Sequence, residues 1–300
     1  MLTSSTVLGV AFALLAAMSL ASMTVILRKG TDQGTANSAL VVVLVGNIVV
    51  FVPAAFLLYY PDLQITSLSF LTFVAAGLFG TMLGRAFYYT SIERIGANRS
   101  DPIRASQPLY ATVIAVIVLG EVLTLPHFIG ILLMIGGVAM IVLETSGSAG
   151  VNSLESRIEL ALPIIAAIFF GIEPVFARIG LQEGTPVFVG LAIKTLVGTI
   201  GFLSYLAYRR QLPGPSNLLG DPNTPWYIGA AAANSLFLLA YYTALEVSRV
   251  VVVVPIVQMT PMIVILLSFI FLPRLEIVTA RLITGAGVII SGAVLITVYG

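Results

Sequence analysis

Arg85, Glu173 and Lys194 each fall within an otherwise apolar run long enough to cross a bilayer. A charge at membrane depth is costly unless it faces a cavity, a partner or a bound ion, so these three side chains carry the first functional reading of the chain. Lys194 lies about eight residues into its run, where snorkelling to the headgroups is difficult. Its cation needs an acidic partner, a bound anion or the loss of its proton. Glu173 directly precedes Pro174, whose missing N–H frees a carbonyl and bends the helix. A carboxylate there either couples protons or pairs with Lys194. Arg85 shares a helix face with Tyr88 and Tyr89 at i+3 and i+4, and a guanidinium beside phenols suits a carboxylate or phosphate. At about five residues from its expected helix end, Arg85 also suits snorkelling.

If Glu173 and Lys194 pair in the empty state, an incoming anion displaces the carboxylate and leaves it to take up a proton. The expected solute is anionic or strongly polar, held by Lys194 with Arg85 and Tyr89 as second contacts. Gln107, Gln258, Asn47, Asn234 and Tyr242 are the neutral polar candidates for substrate contact, interhelical hydrogen bonding being the alternative for each. Pro102, Pro108, Pro255 and Pro261 read as bends around a cavity.

The elements that must position these groups follow from composition. Of 300 residues 59% are hydrophobic and 9% charged, against about 25% charged in soluble domains. Punctuated at charges, prolines and polar turns, the chain divides into ten spans, near 7–27, 36–59, 68–90, 104–120, 126–143, 159–180, 186–208, 225–246, 250–272 and 279–298. The fold class is therefore all-α and integral to the membrane. The first span lacks a basic leader and is too long for a signal peptide, so it reads as a retained helix. With no cysteine there is no disulfide, thiolate metal site or thiol nucleophile. A net charge of +1 makes no case for nucleic acid, and the bilayer is the implied partner. No G-x4-GK[ST] loop is present to supply ATP drive, and no cofactor or metal is expected.

The chain also repeats itself. Tyr88, Tyr89, Thr90, Glu93, Pro102 and Pro108 recur 153 residues later as Tyr241, Tyr242, Thr243, Glu246, Pro255 and Pro261. Glu121, Gly130 and Gly137 recur as Glu276, Gly285 and Gly292, and Arg28 and Gly30 recur as Arg178 and Gly180. The repeats divide at the Gly/Ser-rich segment 144–157, giving residues 1–147 with five spans and 148–300 with five more. Because five is odd, the second copy enters from the opposite side, which makes the repeat inverted. Inverted halves can rock about a midplane site and expose it to each side in turn; a passive scaffold is the alternative use. The glycine stripes of the fifth and tenth spans suit helix contact or a homodimer. Trp226, Tyr59 and Tyr60 suit the interfacial belts, and His127, beside Pro126, reads as an interface residue.

The run from Gln107 through Glu121 to Gly137, the small-residue first helices ending in LRKG (27–30) and ARIG (177–180), and the third helix ending in YYT-x-x-E resemble the drug/metabolite transporter superfamily, specifically its ten-helix EamA-type permeases. The likeness covers nearly the whole chain. In the second copy Pro273, Arg274, Leu275 and Glu276 replace the Gly120–Glu121 pair, and of the basic residue usual in the second helix of each repeat only Lys194 is present, with Leu44 opposite. The resemblance implies a secondary transporter or exporter of small polar metabolites, amino-acid-like or other anionic or zwitterionic solutes, in the plasma membrane. It implies a cavity between the first four helices of each half, with the fifth and tenth outside. A multidrug exporter or a flippase for lipids or lipid-linked sugars is the alternative within the same fold. An intramembrane lipid-modifying enzyme is the alternative of a different class, but the single histidine and the lack of an acidic cluster speak against catalysis.

Orientation is contradictory. Ten basic residues fall in odd-numbered connectors (Arg28, Lys29, Arg94, Arg99, Arg104, Arg157, Arg209, Arg210, Arg274, Arg281) and two in even ones (Arg178, Arg249). The positive-inside rule then puts the odd connectors in the cytoplasm. The resemblance implies the reverse, with both termini inside.

Overall fold

The computed structural model describes residues 4–31, 36–146, 159–214, 221–271 and 280–298. Most of the 144–157 linker and the segment containing Pro273, Arg274 and Glu276 lie outside them. The described residues form α1 (Ser4–Thr31), α2 (Ala36–Tyr59), α3 (Ser67–Ile95), α4a (Ala97–Arg104), α4b (Gln107–Leu119), α5 (Leu125–Ser146), α6 (Ala161–Gln182), α7 (Val187–Tyr208), α8 (Thr224–Val247), α9a (Val250–Val257), α9b (Thr260–Phe271) and α10 (Ala280–Val298). Seven spans are long and apolar enough to cross a membrane by themselves, and three shorter apolar helices complete the ten.

Three helices depart from the expected pattern. The third span runs on to Ile95, so Arg85 lies ten residues from its end rather than five, well inside the helix. Within it Gly77–Gly84 (GLFGTMLG) winds as a π-helix, a form found mostly as short segments near functional sites. The fourth span begins earlier than expected, at Ala97, and the fourth and ninth each break once, at Ala105–Ser106 and at Gln258–Met259. Pro108 and Pro261 lie in the first turns of the resumed helices, where a missing N–H costs nothing. Hydroxyls bond carbonyls at the breaks, Ser106 Oγ donating to Ile103 O, which also accepts from Ser106 N, and Thr260 Oγ1 to Val257 O, each hydroxyl bond at 2.6 Å.

Contacts among connectors establish the zigzag. On one face the Glu121 carboxylate accepts from the backbone N–H groups of Val250 and Val251 at 2.9 Å each, and Thr185 Oγ1 donates to Gln64 O at 2.8 Å. On the other face Arg209 donates to Glu93 at 2.5 Å and Asn37 Nδ2 to Gln211 O at 3.4 Å. Even connectors thus meet on one side and odd connectors on the other.

The halves interleave rather than standing as separate bundles. α1 packs on α8 and α3 on α6, α2 on α7, and α5 on α10. Exchanging the repeats maps this set of pairs onto itself, as a pseudo-twofold in the membrane plane requires. The glycine stripes serve the α5–α10 contact within the chain. A Cβ on Gly130 would lie 2.8 Å from Gly292 O, and one on Gly137 would lie 2.8 Å from Gly285 O, so the backbones touch where a side chain would separate them.

Candidate functional site

A cavity of about 530 Å³ lies between α1–α4 and α6–α9. It is walled by the C-terminal half of α1, the N-terminal half of α2 and the C-terminal half of α3, and it reaches the surface on the odd-connector face at the exposed Arg28 and Ala36. Toward the even-connector face it is closed. Phe73, fully buried and stacked at 6.5 Å on Tyr242, lies against Gly180 and Gly190, and Thr66 Oγ1 donates to Glu183 Oε2 at 3.0 Å beyond it.

Glu173 and Lys194 meet at the closed end of the cavity. Lys194 Nζ is 2.8 Å from Glu173 Oε1, with the two side chains only 5% and 13% exposed respectively. The carboxylate lies directly over Gly80, where a Cβ would come within 2.1 Å of Oε2, and a Cβ on Gly77 would come within 2.6 Å of Lys194 O. The π-helical glycines therefore let α6 and α7 approach close enough for the pair to form. Tyr242 completes it by donating its hydroxyl to Glu173 Oε1 at 3.2 Å, with Lys194 Nζ 5.3 Å from its ring centroid. Tyr242 itself is fully buried behind the pair, and the cavity wall carries its neighbour Tyr241 instead.

Arg85, Tyr89, Gln107, Gln258 and Asn234 line the cavity. Asn47 does not; its Oδ1 accepts from Asn234 Nδ2 at 3.1 Å and from Ser235 Oγ at 2.9 Å, orienting Asn234 from behind. Gln107 has a structural task as well. Pro174 removes the N–H that would have bonded Phe170 O, four residues back, and Gln107 Nε2 donates to that carbonyl at 3.2 Å. The Gln107 Oε1 in turn lies 3.5 Å from Gln258 Nε2, so the two broken helices meet through glutamines at mid-depth.

Arg104 belongs to the wall, although its sequence position suggests a connector. The early start of α4a carries it inward, and its guanidinium lies 5.0 Å from the Tyr88 ring centroid and 6.0 Å from that of Phe170. Tyr88 donates its hydroxyl to Asp101, one turn before Arg104. Pro108 marks the bend in the sequence, but nothing there shows on which side of Arg104 the helix begins. Among the described residues, the charged side chains of the wall are Arg28, Arg85, Arg104 and Lys194 against Glu173 alone. Removing Arg28 and Arg104 from the connector charges leaves eight basic residues in the odd connectors, 10 − 2, against two in the even ones.

Among solved structures, one described only as a crystal structure of a protein superposes over 100% of this chain and 98% of its own, with a TM-score of 0.75 at 16% identity, a likeness of fold alone. No curated protein matches the sequence significantly. The EamA-like transporter family matches residues 7–143 and again residues 157–298, and the chain, an integral multi-pass membrane protein, belongs to that family.

Proposed function

We propose that the protein is a secondary transporter of small anionic or zwitterionic solutes, working by alternating access in the plasma membrane. The observation that carries this reading is the Glu173–Lys194 pair, 2.8 Å apart at the closed end of a cavity whose other charged groups are cationic. A buried ion pair is a weak source of stability, because desolvation offsets much of the Coulomb attraction. It is better suited to exchange. A solute carboxylate that reaches Lys194 replaces Glu173 as its counter-ion and preserves the charge balance of the site. Glu173 then loses its close counter-ion, keeps the Tyr242 hydroxyl and only the longer-range charge of Arg85, and takes up a proton. Solute and proton thereby enter the occluded site together. Rocking of the interleaved halves then opens the even-connector face, by parting Phe73 from Gly180 and Gly190, and closes the odd one.

Flux of labelled amino acids, organic acids, sugar phosphates and cationic drugs in proteoliposomes tests this reading. Anionic or zwitterionic solutes are expected to move in wild type and to slow roughly 100-fold both in Lys194→Met and in the more stable double variant Lys194→Met, Glu173→Gln. Preference for cationic drugs, undiminished in Lys194→Met, would replace the reading with that of a drug exporter.

A further inference from the structure

The Glu173–Lys194 pair leaves part of the cavity's charge unused. Arg85 and Arg104 both face the cavity; among the described residues Arg104 has neither an ion-pair partner nor a hydrogen-bond acceptor, and Arg85 has only Tyr89 and Glu173 within electrostatic reach, with no hydrogen bond to either. Arg104 is held between the Tyr88 and Phe170 rings, and its Nε is fully buried without a partner. Asp101, the nearest acid on its own helix, accepts the Tyr88 hydroxyl and does not line the cavity. Arg85 lies within electrostatic reach of Tyr89 and Glu173, and the Tyr88 and Tyr89 rings are 5.9 Å apart, so the two guanidinium groups border one aromatic patch. Guanidinium groups present a planar fork to a carboxylate, and a cation in a low-dielectric site without a counter-ion is costly. Both features call for an anion.

A solute with one carboxylate satisfies Lys194 and leaves this second pole empty. Resting on the transport reading above, we infer that the cavity recognises a solute with two separated anionic groups, a dicarboxylate with an apolar or aromatic body. One carboxylate replaces Glu173 at Lys194. The other is held by Arg104 and Arg85, and the body lies against Tyr88, Tyr89 and Phe170. Separation of the poles matters: a phosphate monoester concentrates its charge at one end and leaves one pole unmatched. The cavity volume of about 530 Å³ falls in the range of ordinary small-molecule sites.

The test uses the purified full-length protein in detergent and compares succinate, glutarate and terephthalate with their monoamides, which keep size and shape but lose one charge. Phenyl phosphate and a neutral diamide serve as controls, and affinity is read by thermal shift and by competition in vesicle flux. At least one diacid is expected to bind roughly tenfold or more tightly than its monoamide, about one well-placed charge pair. In Arg104→Gln that ratio falls toward one, and Arg104→Lys recovers part of it. Equal binding of diacid and monoamide throughout the series, or tighter binding of phenyl phosphate than of any diacid, overturns the two-pole inference. In either case dependence of monoanion binding on Lys194 shows that the transport reading stands by itself. Loss of all dependence on Lys194 removes both.

Discussion

The two repeats share a fold and divide its chemistry. At the positions of Glu173 and Lys194 in the second copy, the first copy carries Met23 and Leu44; at the positions of Arg85 and Arg104 in the first, the second carries Leu238 and Val257. The same turn also differs: Thr24 keeps its N–H and adds a hydroxyl bond to Leu20 O at 2.9 Å, whereas Pro174 leaves the equivalent Phe170 O to Gln107 on another helix. Duplication accounts for the symmetric frame, and divergence placed the buried ion pair in one half and the two cavity arginines in the other. In the proposed cycle a solute touching both poles would bridge the halves that rock against each other.

The largest expected effect comes from erasing that asymmetry at its centre. Lys194→Met copies the apolar Leu44 of the first repeat and leaves Glu173 buried without its close counter-ion, at a cost of about 3–5 kcal/mol in stability and a fall in flux of roughly 100-fold. Adding Glu173→Gln is expected to recover the thermal stability but not the flux. Recovery of both would make the pair structural only.

Gly80→Ala sharpens the comparison from the other side, because the repeat counterpart is already alanine, Ala233. A Cβ 2.1 Å from Glu173 Oε2 must push the carboxylate away, costing about 1–3 kcal/mol and about tenfold in flux. Gly136→Ala, where nothing lies within 4 Å, is the control and is expected to change neither. Gly137→Ala, which meets Gly285 O and Ile289 on α10, is expected to lower the melting temperature with no change in solute preference, since α5 and α10 do not line the cavity. The smallest effect is that of Gln107→Ala, about 1 kcal/mol for the orphaned Phe170 carbonyl. Adding Pro174→Thr is expected to recover part of it by copying the arrangement at Thr24.

The fold was legible because its signals are redundant: apolar runs set the spans, the YYT-x-x-E and paired-proline echoes set the repeat, and an odd span number sets the inversion. Glu173 and Lys194 were legible as deep charges, and Pro174 as a source of a free carbonyl. Arg104 was not, because charge near a connector looks the same in sequence whether the helix begins before it or after it; only the start at Ala97 draws it inward. Tyr241 and Tyr242 show a second limit. Which of two adjacent tyrosines faces the cavity depends on the rotation of α8, and the structure turns Tyr241 to the wall and Tyr242 to Glu173. Gly80 shows a third limit: helix contact is the common use of a glycine in an apolar span, whereas here the neighbour it admits is a carboxylate.

In the proposed cycle a solute anion takes the place of Glu173 at Lys194 and leaves the Glu173 carboxyl group protonated. Infrared difference spectroscopy on reconstituted protein, recorded on addition of the tightest-binding diacid or amino acid, reads this directly. A protonated-carboxyl band is expected to appear in wild type, to be missing in Glu173→Gln, and to shift in Tyr242→Phe, which removes the hydrogen bond to Glu173 Oε1. Binding without any new carboxyl band in wild type, or with the same band in Glu173→Gln, would contradict the exchange.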